Sequence, residues 1–328
     1  MWKFLVKRIL LSILVLFLVS IAVYTLMRCL PVSFIEAKAR EISVRPNAKS
    51  YDECLNQLNK LYGVNMNPVA GFFSWLGNAL RGNFGDSWVH NMPVIEKFRE
   101  VIWDSFWLAF SAIVLEILIA VPLGIFAARK QYTKTDYVIS VAALIGISLP
   151  SFFIAASLKL IFSVKLGWLP LNGKVGRYFE QLSAGGQFIE ILLHYILPVV
   201  TLTVLGIGFM IRYTRTNMLE VLNADYIRTA RANGIPESKV INRHAFRNTL
   251  LPVITVMRGT LPALFGGAMI IEQLFSIPGI GYTAYNSILN GDIPFSMFFL
   301  MFLAVLTQAG TLISDILYAA ADPRVRIN

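Results

Sequence analysis

The sequence has few charged residues and few of the side chains that hold metal ions. Asp, Glu, Lys and Arg make up 15% of its 328 residues, against about 25% in typical soluble domains. Its histidines, His90, His194 and His244, are scattered without the spacing of a metal site. The composition therefore argues against a soluble domain and against a metal centre.

Several catalytic and binding signatures are also missing. The sequence contains no Gly-x-x-x-x-Gly-Lys-Ser/Thr loop, so we expect no ATP phosphates to be cradled by this chain. No nucleophile can be paired with a base, which argues against a membrane-embedded enzyme. No nucleic-acid motif accompanies the net charge of +10, and the basic residues cluster beside apolar runs. We expect neither an enzyme nor a nucleic-acid partner.

Only two cysteines occur, Cys29 and Cys54. The topology derived below places both on the outer side of a membrane, where a disulfide can form. Two unpaired thiols are the alternative, because spacing alone does not establish the geometry of a bridge.

Hydrophobic residues, in contrast, make up 56% of the chain and form long runs. Each of six runs is long enough to cross a hydrocarbon core of about 30 Å as a helix. These predicted spans are Ile9–Met27, Ser105–Ala128, Tyr137–Val164, Ile189–Ile211, Leu250–Phe275 and Ser296–Tyr318. The first has 19 residues without a charge, and signal-peptide cores have about 7–15, so we favour a retained helix over a cleaved signal.

Prolines interrupt the third and fifth predicted spans at Pro150, Pro252 and Pro262. Such interruptions are tolerated in a membrane when neighbouring groups satisfy the freed carbonyls, and broken helices often line a pathway. An ordinary kink is the alternative for each proline.

The distribution of Lys and Arg predicts the orientation of the six spans. With the N-terminus inside, most basic residues outside the long segment 29–104 lie in inner segments, as the positive-inside rule requires. Both termini are then cytoplasmic. In the outer segment, Asp52–Tyr62 reads as an amphipathic helix with Leu55, Leu58 and Leu61 at helical spacing. Aromatic residues follow it, which suits a helix at the lipid headgroups or a cap that contacts an external partner.

The inner loop between the fourth and fifth spans carries the most informative pattern. Tyr226–Asn233 reads as a short helix that Asn223 or Asp225 can cap, and Gly234 is placed to end it with a positive φ. Pro236 suits the first turn of a second, basic helix. A short exposed helix can dock into a groove of another protein. A basic loop that only anchors to anionic lipid is the alternative.

The loop resembles the signature of ATP-binding-cassette (ABC) importer permeases, and specifically the dipeptide/oligopeptide/nickel branch. Ala230 precedes Gly234 by four positions, and Leu251-Pro252 follow at the next span. Further matching segments are Asp225–Gly234, Arg243–Ala245, Arg247–Val253, Glu272–Gly281, Asp322–Arg326 and Gly82–Ser87. The chain is similar to the first, B-type, of the two permease subunits. It departs from the family at Pro31–Phe34, where Pro-Gly-Asp-Pro is frequent.

The resemblance implies an all-α membrane protein with the type I importer permease fold. The implied parts are an N-terminal helix (1–28), an extracytoplasmic segment (29–104) and a five-helix core (105–328) with a coupling loop (212–251). The helix seated on a partner ATPase would include Asp225, Tyr226, Arg228, Thr229, Ala230, Arg231 and Gly234. The supporting loop residues would be Arg243, His244, Arg247 and Pro252. In this family Ala230 would allow close approach, and Arg228 and Arg231 would pair with acids of the partner.

The resemblance also implies the partners, the location and the cargo. The partners would be a second permease, two ABC ATPases that bind ATP and Mg, an extracytoplasmic substrate-binding protein and membrane lipid. This chain itself would bind no cofactor. The location would be a bacterial inner membrane. Oligopeptides or dipeptides are the expected cargo, with nickel chelates, sugars or opines as alternatives.

An ion-coupled secondary transporter is the rival from another class, because it also moves solutes through helices. It would need ionisable groups at mid-membrane. The charged candidates are Glu116, Lys159, Glu272 and Asp315, and Glu116 alone lies near a span centre. A structural pairing of Glu116 inside the bundle competes with a proton relay. We take Glu116, Pro150 and Glu272 as candidates for the substrate pathway.

Overall fold

The computed structural model describes residues 2–29, 33–44, 49–61, 66–246, 259–266 and 268–321. Within these residues the regular secondary structure is helical apart from one two-stranded hairpin. It packs as two compact units, one formed by Met1–Trp103 with Thr283–Asn328 and the other by Asp104–Tyr282.

The first unit is built on the two terminal helices. Its elements are α1 (Trp2–Cys29), α2 (Ser33–Ser43), α3 (Tyr51–Leu61), α4 (Pro68–Leu80), β1 (Asp86–Ser87), β2 (Met92–Pro93), the start of α5 (Val94–Arg129), the end of α13 (Ile280–Leu289) and α14 (Ile293–Ala321). Helix α1 packs along α14, and an ion pair of 3.0 Å joins Arg8 to Asp315. The terminal helices of the chain therefore form one pair.

Two small cores hold the segment between α1 and α5. Phe72 of α4 packs edge-to-face on Tyr24 of α1 at 5.5 Å between ring centroids. Cys54 and Leu58 of α3 pack against α2, which confirms the predicted amphipathic helix, although it begins at Tyr51. Both cysteines are free. Cys54 is buried in the α2–α3 core, and Cys29 is exposed.

A buried aspartate fixes the hairpin onto the start of α14. Asp292 accepts hydrogen bonds from the Ser87 hydroxyl and, at 3.0 Å, from the Trp88 backbone N–H. It also accepts the Phe295 N–H at 3.4 Å, in the manner of a helix cap. One carboxylate thus ties the turn-rich stretch after α4 to the last helix.

The second unit holds the remaining helices. They are the rest of α5, α6 (Lys134–Ser148), α7 (Ser151–Leu158), a π-helix (Lys159–Lys165), a 3₁₀ turn (Phe179–Gln181), α8 (Ala184–Leu222), α9 (Asp225–Ala232), α10 (Glu237–Lys239), a second π-helix (Val240–Ala245), α11 (Thr260–Phe265), α12 (Met269–Phe275) and the start of α13. Its main core joins α5, α7, α8 and α12 through Leu108, Ala155, Leu197 and Ile271.

The third predicted span consists of two helices that meet at Pro150, where the sequence predicted an interruption. The chain bends by 100° between α6 and α7. Leu149 is extended there, with ψ 132°, because the ring of Pro150 disfavours helical backbone in the residue before it. The interruption is therefore a sharp break rather than an ordinary kink.

The number of spans agrees with the sequence if each bent pair counts as one crossing. Among the described residues, four helices are long and apolar enough to cross a membrane: Val6–Leu26, Val94–Arg129, Ala184–Leu222 and Ile293–Ile316. The α6–α7 pair is a fifth crossing on this count. The sixth is Pro262–Phe275 with Ile280–Leu289, bent by 77°, and Gly267 within it lies outside the described residues.

Candidate functional site

The short helix predicted in the inner loop is present as α9. It begins at Asp225, and Gly234 has a φ of +73°, which confirms the predicted left-handed end. A side chain added at Gly234 would meet nothing within 4 Å, so the backbone conformation alone favours glycine here. The predicted cap is wrong. Ala224 is the capping residue, and Asn223 instead donates to the Leu219 carbonyl at the end of α8.

Helix α9 rests on the ends of two long helices. Ile227 is fully buried and Ala230 is 8% exposed. They belong to one cluster that takes Ala128 from α5 and Met218 from α8, together with Val240, Ile241 and Ala245 of the second π-helix. A force on α9 therefore acts directly on α5 and α8.

This burial corrects the expected role of Ala230. The residue type was expected to let a partner approach closely, but its side chain faces the cluster within the chain. The outward face of α9 carries Tyr226, Arg228 and Thr229, and Tyr226 is 46% exposed. This face is the part of α9 that a partner can contact.

The two arginines of α9 have acids within the chain. Arg231 donates twice to Glu237, at 3.1 and 2.8 Å, and so links the end of α9 to the start of α10. The contact from Arg228 to Asp225 is longer, at 3.7 Å, and both side chains are well exposed. The expected pairing of Arg231 with a partner thus has a competitor within the loop, whereas Arg228 points into solvent.

The structure describes only part of the loop that was predicted to support α9. Pro236 is the capping residue of α10 rather than a first-turn residue, because its ψ of 137° is not helical. Val240 and Ile241 of the second π-helix are buried. Arg247 and Pro252 lie outside the described residues, as do the side chains of Arg243 and His244.

Helices α5 and α8, which contact α9, also pack closely against each other. A Cβ atom at Gly124 of α5 would lie 2.7 Å from the Thr214 Cβ and 2.8 Å from the Ile211 carbonyl oxygen of α8. At the same level Arg215 of α8 binds Asp136 of α6 with two hydrogen bonds, at 2.6 and 2.7 Å. The sequence analysis missed this ion pair. Its signal was a pair of opposite charges at span ends that the predicted topology places on the same side.

The three candidates for the substrate pathway, Glu116, Pro150 and Glu272, differ in burial and in hydrogen bonding. Glu272 is fully buried, and its carboxylate accepts hydrogen bonds from the Ser105 hydroxyl at 2.8 Å and from the N–H groups of Ala268 and Tyr282. Through these hydrogen bonds it closes the break between α12 and α13, and its role in the substrate pathway stays a prediction. Pro150 is exposed at the α6–α7 break.

Glu116 behaves differently from the other charged residues of the spans. It is half-buried in the middle of α5, and a side chain at Gly206 of α8 would overlap its carboxylate. Within the described parts of the chain no hydrogen bond or ion pair is found for it, so the expected pairing in the bundle is not seen there. Lys159 binds Asn172 and the Leu274 carbonyl, and Asp315 binds Arg8. In the same parts of the chain no three His, Cys, Asp or Glu residues are grouped to hold a metal ion.

Comparison with known proteins gives matches along the whole chain. Residues 120–327 match the family of binding-protein-dependent transport system inner membrane components. The oligopeptide transport system permease protein AppB of Bacillus subtilis (strain 168) is 35% identical over 326 residues, covering 99% of both chains. The di/tripeptide transport system permease protein DppB of Pseudomonas aeruginosa (strain UCBPP-PA14) is 32% identical, with the same coverage. A putative peptide transport system permease protein of Brucella abortus (strain 2308) is 34% identical over 99% of each chain.

The Arg231–Glu237 contact predicts a pH-dependent stability of α9. The hydrogen bonds from Arg231 lower the pKa of Glu237 below its usual value. A lowered pKa means that the contact stabilises the loop above the unfolded pKa of about 4.3 and is lost as the pH falls through the folded value. Because both side chains are about half exposed, we expect no more than about 1 kcal/mol.

Hydrogen exchange of the α9 amides, corrected for intrinsic rates, measures this effect. Glu237→Gln should speed exchange at pH 7 and remove most of the difference between pH 7 and pH 3. Glu180→Gln, an exposed glutamate in the loop before α8, is the matched control and should leave α9 unchanged. Equal exchange of α9 in wild type and Glu237→Gln at pH 7 would refute a stabilising role for this contact.

Proposed function

The chain belongs to the family of binding-protein-dependent transport system inner membrane components, and we propose that α9 couples it to a partner ATPase. The family has the type I ABC permease fold, so the chain is a multi-pass membrane permease component. Relatives at 31–35% identity over the full chain are named as peptide permeases. The chain is accordingly a permease subunit of a peptide-importing ABC transporter.

The proposed assembly follows from what this chain lacks and what its surface offers. A second permease would complete the pathway, and two ABC ATPases would bind ATP and Mg, because this sequence has no phosphate-binding loop. An extracytoplasmic binding protein would deliver the peptide. The exposed face of α9, with Tyr226, Arg228 and Thr229, would enter a groove of one ATPase.

The proposed orientation places α9 and both termini in the cytoplasm. The excess of Lys and Arg in the segments next to α9 supports it, as does the even number of crossings when each bent pair counts once. The hairpin and the helices between α1 and α5 then lie outside, where they can contact the binding protein.

The packing of α9 supports a lever mechanism. ATP binding would draw the two ATPases together and displace α9. Ile227 and Ala230 would pass that displacement to Ala128 of α5 and Met218 of α8 through side-chain contact. Since α5 and α8 are packed at Gly124, they would move as one body. This movement would open the pathway to the outside and later release peptide to the inside.

Glu116 is our proposed pathway residue. A carboxylate without a partner at the bilayer centre costs several kcal/mol if it faces lipid, so such residues usually face protein or water. Gly206 of α8 has no side chain and so leaves room for the Glu116 carboxylate. A peptide carries an ammonium group at its N-terminus, which would form a charge-assisted hydrogen bond with this carboxylate during passage.

The lever mechanism predicts that Gly234→Pro uncouples transport. Proline fixes φ near −65°, whereas position 234 has a φ of +73°, so the end of α9 cannot keep its place. Ala230→Trp with Arg231→Glu should act in the same way. The tryptophan would overfill the cluster, and the new glutamate would repel Glu237 instead of pairing with it. With either variant in the reconstituted transporter, peptide-stimulated ATP hydrolysis should fall to the basal rate.

A matched control separates coupling from general damage. Gly167 also has a positive φ, of +64°, and lies in the loop after the first π-helix, on the proposed outer side. Gly167→Pro should keep stimulated hydrolysis, and all three variants should insert into the membrane at wild-type levels. Normal stimulation with Gly234→Pro would refute the role of α9.

A separate experiment tests Glu116. In proteoliposomes that hold the complete transporter, Glu116→Gln should lower tripeptide uptake about tenfold, the loss expected for one hydrogen bond to a charged group. Glu96→Gln, an exposed glutamate on the same helix, is the control and should transport normally. Wild-type uptake by Glu116→Gln would reject the pathway role, and a loss of melting temperature without a change in uptake would assign Glu116 a structural role.

A further inference from the structure

The α5–α6 turn, residues 129–134, joins two membrane crossings directly. Helix α5 is uncharged over Ser105–Ala128 apart from Glu116, and the next crossing begins at Lys134. Helices α5, α6 and α8 meet in one apolar cluster, so the two crossings lie side by side. A connection this short cannot leave the surface of the membrane, and the turn therefore lies at the level of the lipid headgroups.

Each end of the turn carries a lysine one helical turn away from an exposed apolar side chain. Lys130 follows Phe126 by four positions and donates its backbone N–H to the Phe126 carbonyl at 3.1 Å, as in a helix. Lys134 precedes Val138 by four positions at the start of α6. Both lysines are exposed, and Phe126 and Val138 are 43% and 67% exposed. Residues four apart share one face of a helix, so each ammonium group lies next to a face that is open to acyl chains.

The charges of the turn have one sign. The segment 129–134 contains no Asp or Glu. Within the described ranges of the chain, no salt bridge is found for Lys130 or Lys134. Arg129 is different, because the pKa of Glu237 is lowered by the hydrogen bonds from Arg231 and, to a smaller extent, by the charge of Arg129. Arg129 thus already faces an acid, and the two lysines are the cations that an external anion can reach.

The shape of the turn is fixed by the buried Asp136. Tyr132 has a φ of +63°, which is uncommon for a residue with a side chain, and its backbone N–H donates to the Asp136 carboxylate at 3.0 Å. Asp136 is 3% exposed and is bound in turn by Arg215 of α8. Tyr132 itself is 75% exposed, and tyrosine is enriched at the headgroup level. The turn therefore presents an aromatic side chain between its two lysines.

We propose that the α5–α6 turn binds the headgroup of an anionic phospholipid, with the lysines at its phosphate and its acyl chains over Phe126 and Val138. The Thr133 N–H donates to the Lys130 carbonyl at 3.0 Å, and this tight turn places both lysines at one end of the helix pair. An acidic groove of an ATPase would match the charges, but it would leave the two apolar side chains uncovered. Because Asp136 joins the turn to α8, bound lipid would stabilise α6 against α8.

Lipid binding by the purified complete transporter tests the proposal. The complex in detergent is titrated with dioleoyl phosphatidylglycerol, and bound lipid is counted by native mass spectrometry. Wild type should bind one lipid tightly per copy of this chain, and its apparent affinity should fall about fivefold for each lysine removed in Lys130→Gln with Lys134→Gln. Dioleoyl phosphatidylcholine, which has the same chains and no net charge, should bind wild type and this variant equally weakly. The proposal rests on the membrane location of the chain, and the measurement uses neither ATP nor peptide, so its result is independent of the lever mechanism.

The controls distinguish this turn from general attraction between a basic protein and anionic lipid. Lys165→Gln with Arg177→Gln removes two exposed charges at and beyond the other end of the same crossing, and it should bind lipid as wild type does. Lys130→Arg with Lys134→Arg keeps the charges and should keep the affinity. Equal affinities of wild type and the Lys130→Gln, Lys134→Gln variant, equal losses in the two glutamine variants, or displacement of the lipid by inorganic phosphate would overturn the proposal. Loss of ATPase subunits from the Lys130→Gln, Lys134→Gln complex with unchanged lipid affinity would overturn it too, and would assign the turn to the ATPase interface.

Discussion

The account depends on the seating of α9 against the ends of α5 and α8. Ile227 and Ala230 are buried in a cluster with Ala128 and Met218, so the short helix is part of the packed structure of the second unit. A lever needs such a contact, because a solvated loop would absorb a push by bending. The left-handed turn at Gly234 reverses the chain at the end of α9, and the second π-helix then closes the same cluster.

Buried carboxylates fix the other junctions of the chain. Asp292 joins the hairpin to α14, Asp136 joins α6 to α8, and Glu272 closes the break between α12 and α13. A buried charge is costly unless it is paired or hydrogen-bonded, and each of these three is satisfied by several donors. They hold loops and breaks at defined positions in a protein whose helices otherwise meet through apolar contacts. Glu116 has no such donors among the described residues, and this difference is why we assign it to the pathway.

The sequence predicted the features that depend on residues close together in the chain. Runs of apolar residues located the spans, and the pattern around Tyr226–Gly234 located α9 and its glycine end. Contacts between distant residues left no such signal. Neither the pairing of Glu272 with Ser105 nor the inward face of Ala230 can be read from spacing along one segment. Pro150 marked the position of the bend, but a single proline gives neither its angle of 100° nor the packing of α7 on α8 and α12.

Cross-linking from the exposed face of α9 tests the central claim most directly. With Cys29 and Cys54 replaced by serine, Thr229→Cys would be the only thiol of this chain, in the complete transporter. We expect an impermeant maleimide to label it in inside-out vesicles and a short bifunctional reagent to join it to an ATPase subunit, with a yield that changes when ATP binds. Labelling only from the outer surface, with no cross-link to an ATPase, would contradict the account.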